Sequence, residues 1–250
     1  MKTLLHYVLY WAVSLAVFSD PSKDFRCEAM LPQVFQVPAL ESCNQNIVYV
    51  PPDVESKYNT PYFDVYITDQ ALKNNNMGAM VLHLPNQEKK IIYRSASLAG
   101  SPFCLYELYS KRQVTTIINL IDRTIGHAQF LKALEEDEFR SIGGEWYVQV
   151  FHYGVEPGTT VDAQFFAVIT DIIKQIIHAK GDVLIHCLSG EHDTGVIFAI
   201  LQKCYNKIPI KIIKTNALCH IGPMEYQYQR ESYKIVSQVI DEYPCNLLVE

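Results

Sequence analysis

The thirteen residues from Val183 to Gly195, VLIHCLSGEHDTG, limit the folds open to this chain more than any other stretch. Asp182-Val183-Leu184-Ile185-His186 is short and apolar and reads as a buried strand. It runs into Cys187 and then a short loop, Leu188, Ser189, Gly190, Glu191, His192 and Asp193, before a helix opens at Thr194-Gly195. A strand that feeds a glycine-bearing loop and then a helix aims backbone N–H groups and the positive end of a helix at one point. An anion suits that point, and a cysteine beside it is pushed toward thiolate. A buried structural cysteine in a turn is the alternative reading of the same segment.

The pattern around this loop alternates. Phe63–Ile67 and Ala79–His83 read as strands forming a hairpin, and Lys90–Arg94 as a further strand. Ser101-Pro102 gives a helix start, with serine as N-cap and proline at the first helical position, and the helix runs to about Arg112. Val114 to Leu120 is rich in β-branched residues and reads as a buried strand. A helix over 127–139, a strand over 146–151 and a helix opening at Thr160 follow. That helix carries an apolar stripe at Phe165, Ile169, Ile172, Ile173 and Ile176. Past the loop, helices are expected to Tyr205, near 210–219 and over 224–242, with Tyr226 and Tyr228 as surface or interface aromatics. Strands alternating with helices point to an α/β domain with a mostly parallel sheet covered on both faces.

The two ends of the charge and polarity range exclude some roles. The net charge is −6, whereas nucleic-acid coating and polybasic membrane contact need excess Lys and Arg. No nucleic acid is expected as a partner. Lys2, the apolar run Leu4–Phe18 and the small residues before Asp20 read as a secretory signal peptide over 1–19. An uncleaved signal anchor is the alternative. The expectation is a secreted, lumenal or periplasmic protein with no stable membrane span after cleavage. Residues 20–60, with Pro32, Pro38, Pro51 and Pro52, read as an extended N-terminal arm, and 61–250 as the domain. Seven cysteines in an oxidising compartment predict disulfides with at least one thiol left over. Cys27 with Cys43 is the expected local pair, and Cys187 the expected free thiol. No Asn-x-Ser/Thr site is present, because Asn59-Thr60 leads into Pro61.

The residues His186-Cys187, five positions, Asp193 and Thr194 resemble the signature of the protein tyrosine and dual-specificity phosphatases. In that signature His-Cys is followed by five residues, Arg, and Ser or Thr. The nearest pattern is the atypical branch with a loop of the type HCxxGKHRTG, which includes phosphotyrosine and inositol-polyphosphate phosphatases. Ile92-Tyr93-Arg94-Ser95-Ala96-Ser97-Leu98 is similar to the branch's YRSGQL strand end, and Thr116-Ile117-Ile118-Asn119-Leu120 to its vInL strand. The resemblance spans about 88–205 and implies an α/β fold: a single phosphatase-like domain whose central, mostly parallel sheet is flanked by helices. It further implies Cys187 as the nucleophile that would form a phosphocysteine. His186 matches the histidine that sets the thiol's surroundings, and Thr194 the hydroxyl that assists the leaving thiolate. Leu188, Ser189, Gly190, Glu191, His192, Asp193 and Gly195 complete the phosphate loop. Glu156 lies 31 residues upstream in GVEPG, where the family carries its general acid. Asp122 and Asp162 are weaker candidates for that role.

One position breaks the pattern. Asp193 stands where the family has the arginine that forks onto two phosphate oxygens, and Glu191 where a lysine is frequent. A carboxylate about 4 Å from another anion costs about 4 kcal/mol at an effective dielectric of 20. The lost bidentate contact removes about 3 kcal/mol more. Each 1.4 kcal/mol is about tenfold, so catalysis is expected to fall by roughly four orders of magnitude or more. The expectation is a pseudophosphatase that acts by binding a protein partner or an anionic or less charged ligand at the loop pocket. Restoring lysine at 191 and arginine at 193 is expected to restore anion binding. The alternative is an active, divergent cysteine-dependent phosphatase whose missing charge comes from Arg94, Arg123 or Arg230. A redox role for Cys187 is a third reading. A Cys187–His192–Asp193 relay is too crowded in one loop. His186, Cys187 and His192, with Cys219-His220, match no zinc-ligand spacing, and no metal or other cofactor is expected.

Overall fold

The computed structural model describes Cys43 and residues 76–121, 128–150, 153–221, 224 and 226–248. The expected leader, most of the arm, the strand at 63–67, Asp122, Arg123 and Cys27 lie outside the described residues. Five strands form one sheet: β1 (Gly78–His83), β2 (Lys89–Ser95), β3 (Val114–Asn119), β4 (Trp146–Gln149) and β5 (Asp182–His186). Their spatial order is β1-β2-β5-β3-β4, with β1 antiparallel and the rest parallel. The six described α-helices are α1 (Pro102–Arg112), α2 (Ala128–Ser141), α3 (Ala163–His178), α4 (Asp193–Cys204), α5 (Ile210–Cys219) and α6 (Gln227–Glu242). The α/β class and the mostly parallel sheet expected from the sequence are what the chain forms.

Strand alternation explains the two-sided core. Tyr93, Ile117 and Leu184 pack with Cys104, Leu105, Leu108 and Phe139 on the face carrying α1 and α2. Their neighbours Ile92, Ile118, Val183 and Ile185 point the other way, into the larger core under α3 to α6. Successive side chains on a strand face opposite sides, so a run apolar at every position is what a sheet covered on both faces requires. On α3, four of the five residues of the expected stripe, Ile169, Ile172, Ile173 and Ile176, are fully buried. The buried-face ammonium of Lys90 donates to the carbonyls of Ile176, Ile177 and Ala179 at 3.0, 2.8 and 2.6 Å, which satisfies the orphan carbonyls of that helix end.

Several local expectations are corrected. Gly78–His83 forms a hairpin with Lys89–Arg94, with His83 opposite Lys89 and Gly78 opposite Arg94, and the expected pairing of 79–83 with 63–67 lies outside the described residues. The short Leu84–Glu88 connection, closed by hydrogen bonds between Leu84 and both Glu88 and Gln87, sets that register. Cys43 bonds to Cys104 on α1, not to Cys27, and Cys204 to Cys245. Proximity in sequence was the wrong guide, because Cys104 is buried beside Cys43 in the α1 core. Asp162 is no acid candidate: it caps α3, its carboxylate accepting from Phe165 N at 2.8 Å, so the helix starts at Ala163 and not Thr160. Ser101 holds the N-cap position of α1 but makes no side-chain capping bond; the carbonyl of Ser101 takes Cys104 N and Leu105 N instead. Among the described residues, no helix is long and apolar enough to cross a membrane.

Candidate functional site

β5 lies between β2 and β3, and its carboxyl end opens into the Cys187 loop. The chain leaves β2 for β3 on one side and returns to β5 between them, so the loop sits at the point where strand order reverses, the usual crevice for a ligand in such sheets. The loop's shape follows from where its carbonyls go. Leu120 N donates to His186 O at 2.7 Å, Ser97 N to Leu188 O at 3.0 Å, and Asn76 Nδ2 to Ser189 O at 3.1 Å. Arg94 Nη2 donates to Gly190 O. Each of these carbonyls faces outward to a partner, which turns the amides inward. The amides of Gly190 and Thr194 and the Thr194 side chain act on the Cys187 sulfur, each lowering its pKa. Gly190 is obligatory here, with φ of +73° and Ser95 O only 2.5 Å from where a Cβ would stand. Gly195, in the first turn of α4, faces Arg94 Nη2 at 3.9 Å from its own Cβ direction.

Beneath the loop is a closed charge network. His186 and Glu135 are both fully buried, with Nε2 and Oε2 2.7 Å apart. Glu135 also accepts from Leu98 N at 2.7 Å and from Tyr147 OH at 2.6 Å, and Asn119 Nδ2 donates to that phenol at 2.7 Å. Burial pushes the Glu135 carboxyl up most strongly, yet His186, Tyr147 and the Leu98 amide together hold it below its ordinary value. His186 Nδ1 lies 3.2 Å from Cys187 O. The His186 ring thus sits between Cys187 O and a carboxylate on α2. Arg94 is 2% exposed, stacked 5.3 Å from the Phe198 ring. Burial lowers its pKa to about 10, against the attraction of Cys187 and Glu191.

On the rim the charges differ from the phosphatase pattern in an unexpected way. Glu191 does not face an incoming anion. It is fully buried and accepts from Gln229 Nε2 on α6 at 2.8 Å. Gln229 Oε1 in turn lies 2.6 Å from His192 Nε2, whose ring packs edge-on against Tyr228, and burial lowers the His192 pKa to about 4. Tyr228 is therefore part of the loop's support rather than a free surface aromatic. Asp193, half-buried at the start of α4, accepts Val155 N at 2.6 Å, while Tyr153 OH donates to its carbonyl at 3.1 Å. Asp193 thereby fastens the segment 153–159 to the loop. Cys187 is a buried free thiol whose pKa is raised to about 11, first by burial and next by Asp193, with Thr194 and the loop amides pulling it down.

Of the acid candidates, Glu156 sits one residue past this latch, exposed, in a turn where Thr159 N donates to Glu156 O at 3.0 Å and Glu156 N donates to Thr159 Oγ1 at 3.0 Å. The structure brings its backbone to the loop through Val155 and leaves its side chain in solvent. Arg230 is exposed and donates to Met224 O at 3.0 Å. The participants that sequence reading missed are Glu135, Asn76, Tyr153 and Gln229, each on a separate element. Only Tyr153, three residues before the nominated Glu156, had any positional signal. Among the described residues no group of three or more His, Cys, Asp or Glu could hold a metal ion.

No family model and no curated protein sequence matches the chain. Solved structures do match. The core catalytic domain of the PP-IP phosphatase SIW14 from S. cerevisiae, in complex with citrate, is 19% identical over 68% of this chain and 85% of its own, with a TM-score of 0.48. TpbA from P. aeruginosa in complex with pTyr is 18% identical, over 63% and 83%, with a TM-score of 0.42. A PTP-like phytase from Bdellovibrio bacteriovorus is 15% identical, over 62% and 82%, with a TM-score of 0.42. At these identities the likeness is one of fold, and the loop's chemistry is read from its own residues.

Proposed function

We propose that this chain is an exported pseudophosphatase: a phosphatase-like domain that binds through its loop and does not carry out phosphoryl transfer. The observation that supports this reading best is Asp193. Its carboxylate is committed to Val155 N, it raises the Cys187 pKa, and it stands where phosphoryl transfer needs a guanidinium. A neutral thiol is a poor nucleophile, and a carboxylate beside it repels a phosphate dianion. Arg94 does not fill the gap, because its guanidinium lies under the loop on the Gly190 carbonyl. The inward amides of Gly190 and Thr194 remain as donors, which suits a partner side chain or ligand less charged than phosphate. Export rests on the leader-like residues 1–19 and is compatible with the two disulfides.

The test compares the mature natural chain with Asp193→Arg. Glu191 is left alone, since a lysine there would lose the Gln229 bond and crowd a second cation against buried Arg94. Vanadate titration by calorimetry is expected to show weak or no binding for the natural chain and binding at least about tenfold tighter for the variant. Cys187-dependent hydrolysis of an aryl phosphate by the natural chain would overturn the proposal.

A further inference from the structure

The other end of the sheet carries a second concave feature, independent of Cys187. Ser95 pairs with His186 at the loop end, whereas His83 pairs with Lys89 at the start of β2, so residues around His83 mark the opposite edge. There, where α3 and α4 end, a cavity of about 830 Å³ opens. Leu84, Pro85, Ile177, Tyr205 and Leu248 give it apolar walls. Its nitrogen-bearing lining is Lys174, His178, Lys207 and His83, with the neutral amide of Asn246. Among the described residues no carboxylate lines it, although the chain has 27 Asp and Glu against 21 Lys and Arg. A basic rim over an apolar floor, in a chain of net charge −6, is a local departure from the surface around it.

The walls are fixed in place. The Cys204–Cys245 disulfide forms part of the lining and joins the end of α4 to the 3-10 helix Cys245–Leu248. Asn206 Nδ2 donates to Val81 O at 2.8 Å and its Oδ1 accepts from His83 N at 3.0 Å, which ties β1 to the end of α4. His178 Nδ1 lies 2.8 Å from Lys174 O. The carbonyl ends of α3 and α4 carry partial negative charge that would oppose an anion. Lysines already answer it: Lys90 takes three carbonyls at the end of α3, and Lys207 donates to Cys204 O at 2.5 Å. The ammonium of Lys174 makes no hydrogen bond or ion pair among the described residues. A preformed apolar cavity with a few convergent polar groups is the usual form of a small-molecule site, and this volume falls in the usual range of about 300–1,000 Å³.

We propose that this cavity binds a small amphipathic anion, an apolar body ending in a single acid head group. The body lies on Leu84, Ile177 and Leu248, and the acid group meets Lys174 with Lys207 beside it. The experiment is calorimetric titration of the full chain with decanoate, decanol and decylamine, each below its aggregation limit. Decanoate is expected to bind about tenfold or more tighter than decanol, and decylamine weakest of the three. The double variant Lys174→Glu, Lys207→Glu is expected to lose decanoate binding by about tenfold or more while circular dichroism stays unchanged. Equal binding of the three probes would reduce the cavity to an unselective apolar surface and overturn the proposal. So would the absence of binding at millimolar decanoate, or undiminished binding by a folded double variant. Should the double variant misfold, the ranking of the three probes on the natural chain decides alone.

Discussion

Beneath the Cys187 loop, Glu135 and His186 face one another and the Arg94 guanidinium meets the Gly190 carbonyl, all sealed from solvent. Half-buried Asp193 on the rim and fully buried Glu191 two residues before it stand where the resembling loops carry arginine and lysine, yet both carboxylates are committed to the protein itself, one to Val155 N and one to Gln229. The underside supplies shape: outward carbonyls, inward amides and a glycine that lets two backbones touch. The rim supplies chemistry, and here its charges are spent on holding 153–159 and α6 against the loop. A loop can thus keep an anion-binding geometry in its backbone while its side chains withdraw the charge that would use it.

Three changes sharpen or break that contrast. The largest effect belongs to the underside. Glu135→Ala leaves His186, the Leu98 amide and the Tyr147 hydroxyl without their buried acceptor, and is expected to cost about 3–5 kcal/mol in urea unfolding. Its pH dependence has a definite sign. A carboxyl held below its ordinary value contributes stability that is complete above the unfolded-state pKa and is lost as pH falls through the folded-state pKa. Glu135→Gln should therefore flatten the acid limb of the stability profile, and an unchanged acid limb would remove Glu135 from the account.

Next comes the contact between the two halves. Gly190→Ala places a Cβ 2.5 Å from Ser95 O at a φ of +73°. A loss of about 2–3 kcal/mol is expected, together with altered amide shifts for Ser95 to Ser97 in NMR spectra. A neutral outcome would mean that the loop has a second arrangement.

The smallest effect on stability is at the rim. Asp193→Asn keeps an acceptor for Val155 N and is expected to change stability by no more than about 1 kcal/mol. Its signature is chemical. Removing the charge takes away the second-largest influence raising the Cys187 pKa, so the pH profile of iodoacetamide alkylation should move to lower pH. An unmoved profile would show that burial alone suppresses the thiol.

The strand, loop and helix around Cys187 were legible because their signal is local: an apolar run, a glycine and a helix start within thirteen residues. The same holds for β3, for α1 and for the stripe on α3. What escaped is long-range. Gln229 meets Glu191 across 38 positions, Asn76 meets Ser189 across 113, and Cys43 meets Cys104 across 61. Asp193 stood out in the sequence as a departure from the loop pattern, but no sequence signal said that its carboxylate would turn to Val155. The burial of Glu191 was not legible because it depends on α6, which arrives only at Gln227. Proximity in sequence likewise favoured the wrong cysteine.

The bond between Cys43 and Cys104 makes a covalent ring of everything between them. A protease that cuts once within 44–103 opens the ring without releasing a fragment, because the sulfur bridge still joins the two pieces. Such a nicked molecule keeps its mass, apart from one added water, and runs as a single species until a reductant is added. Whatever the residues ahead of Cys43 attach to therefore stays coupled to the Cys187 domain through a wound that would sever an unbridged chain.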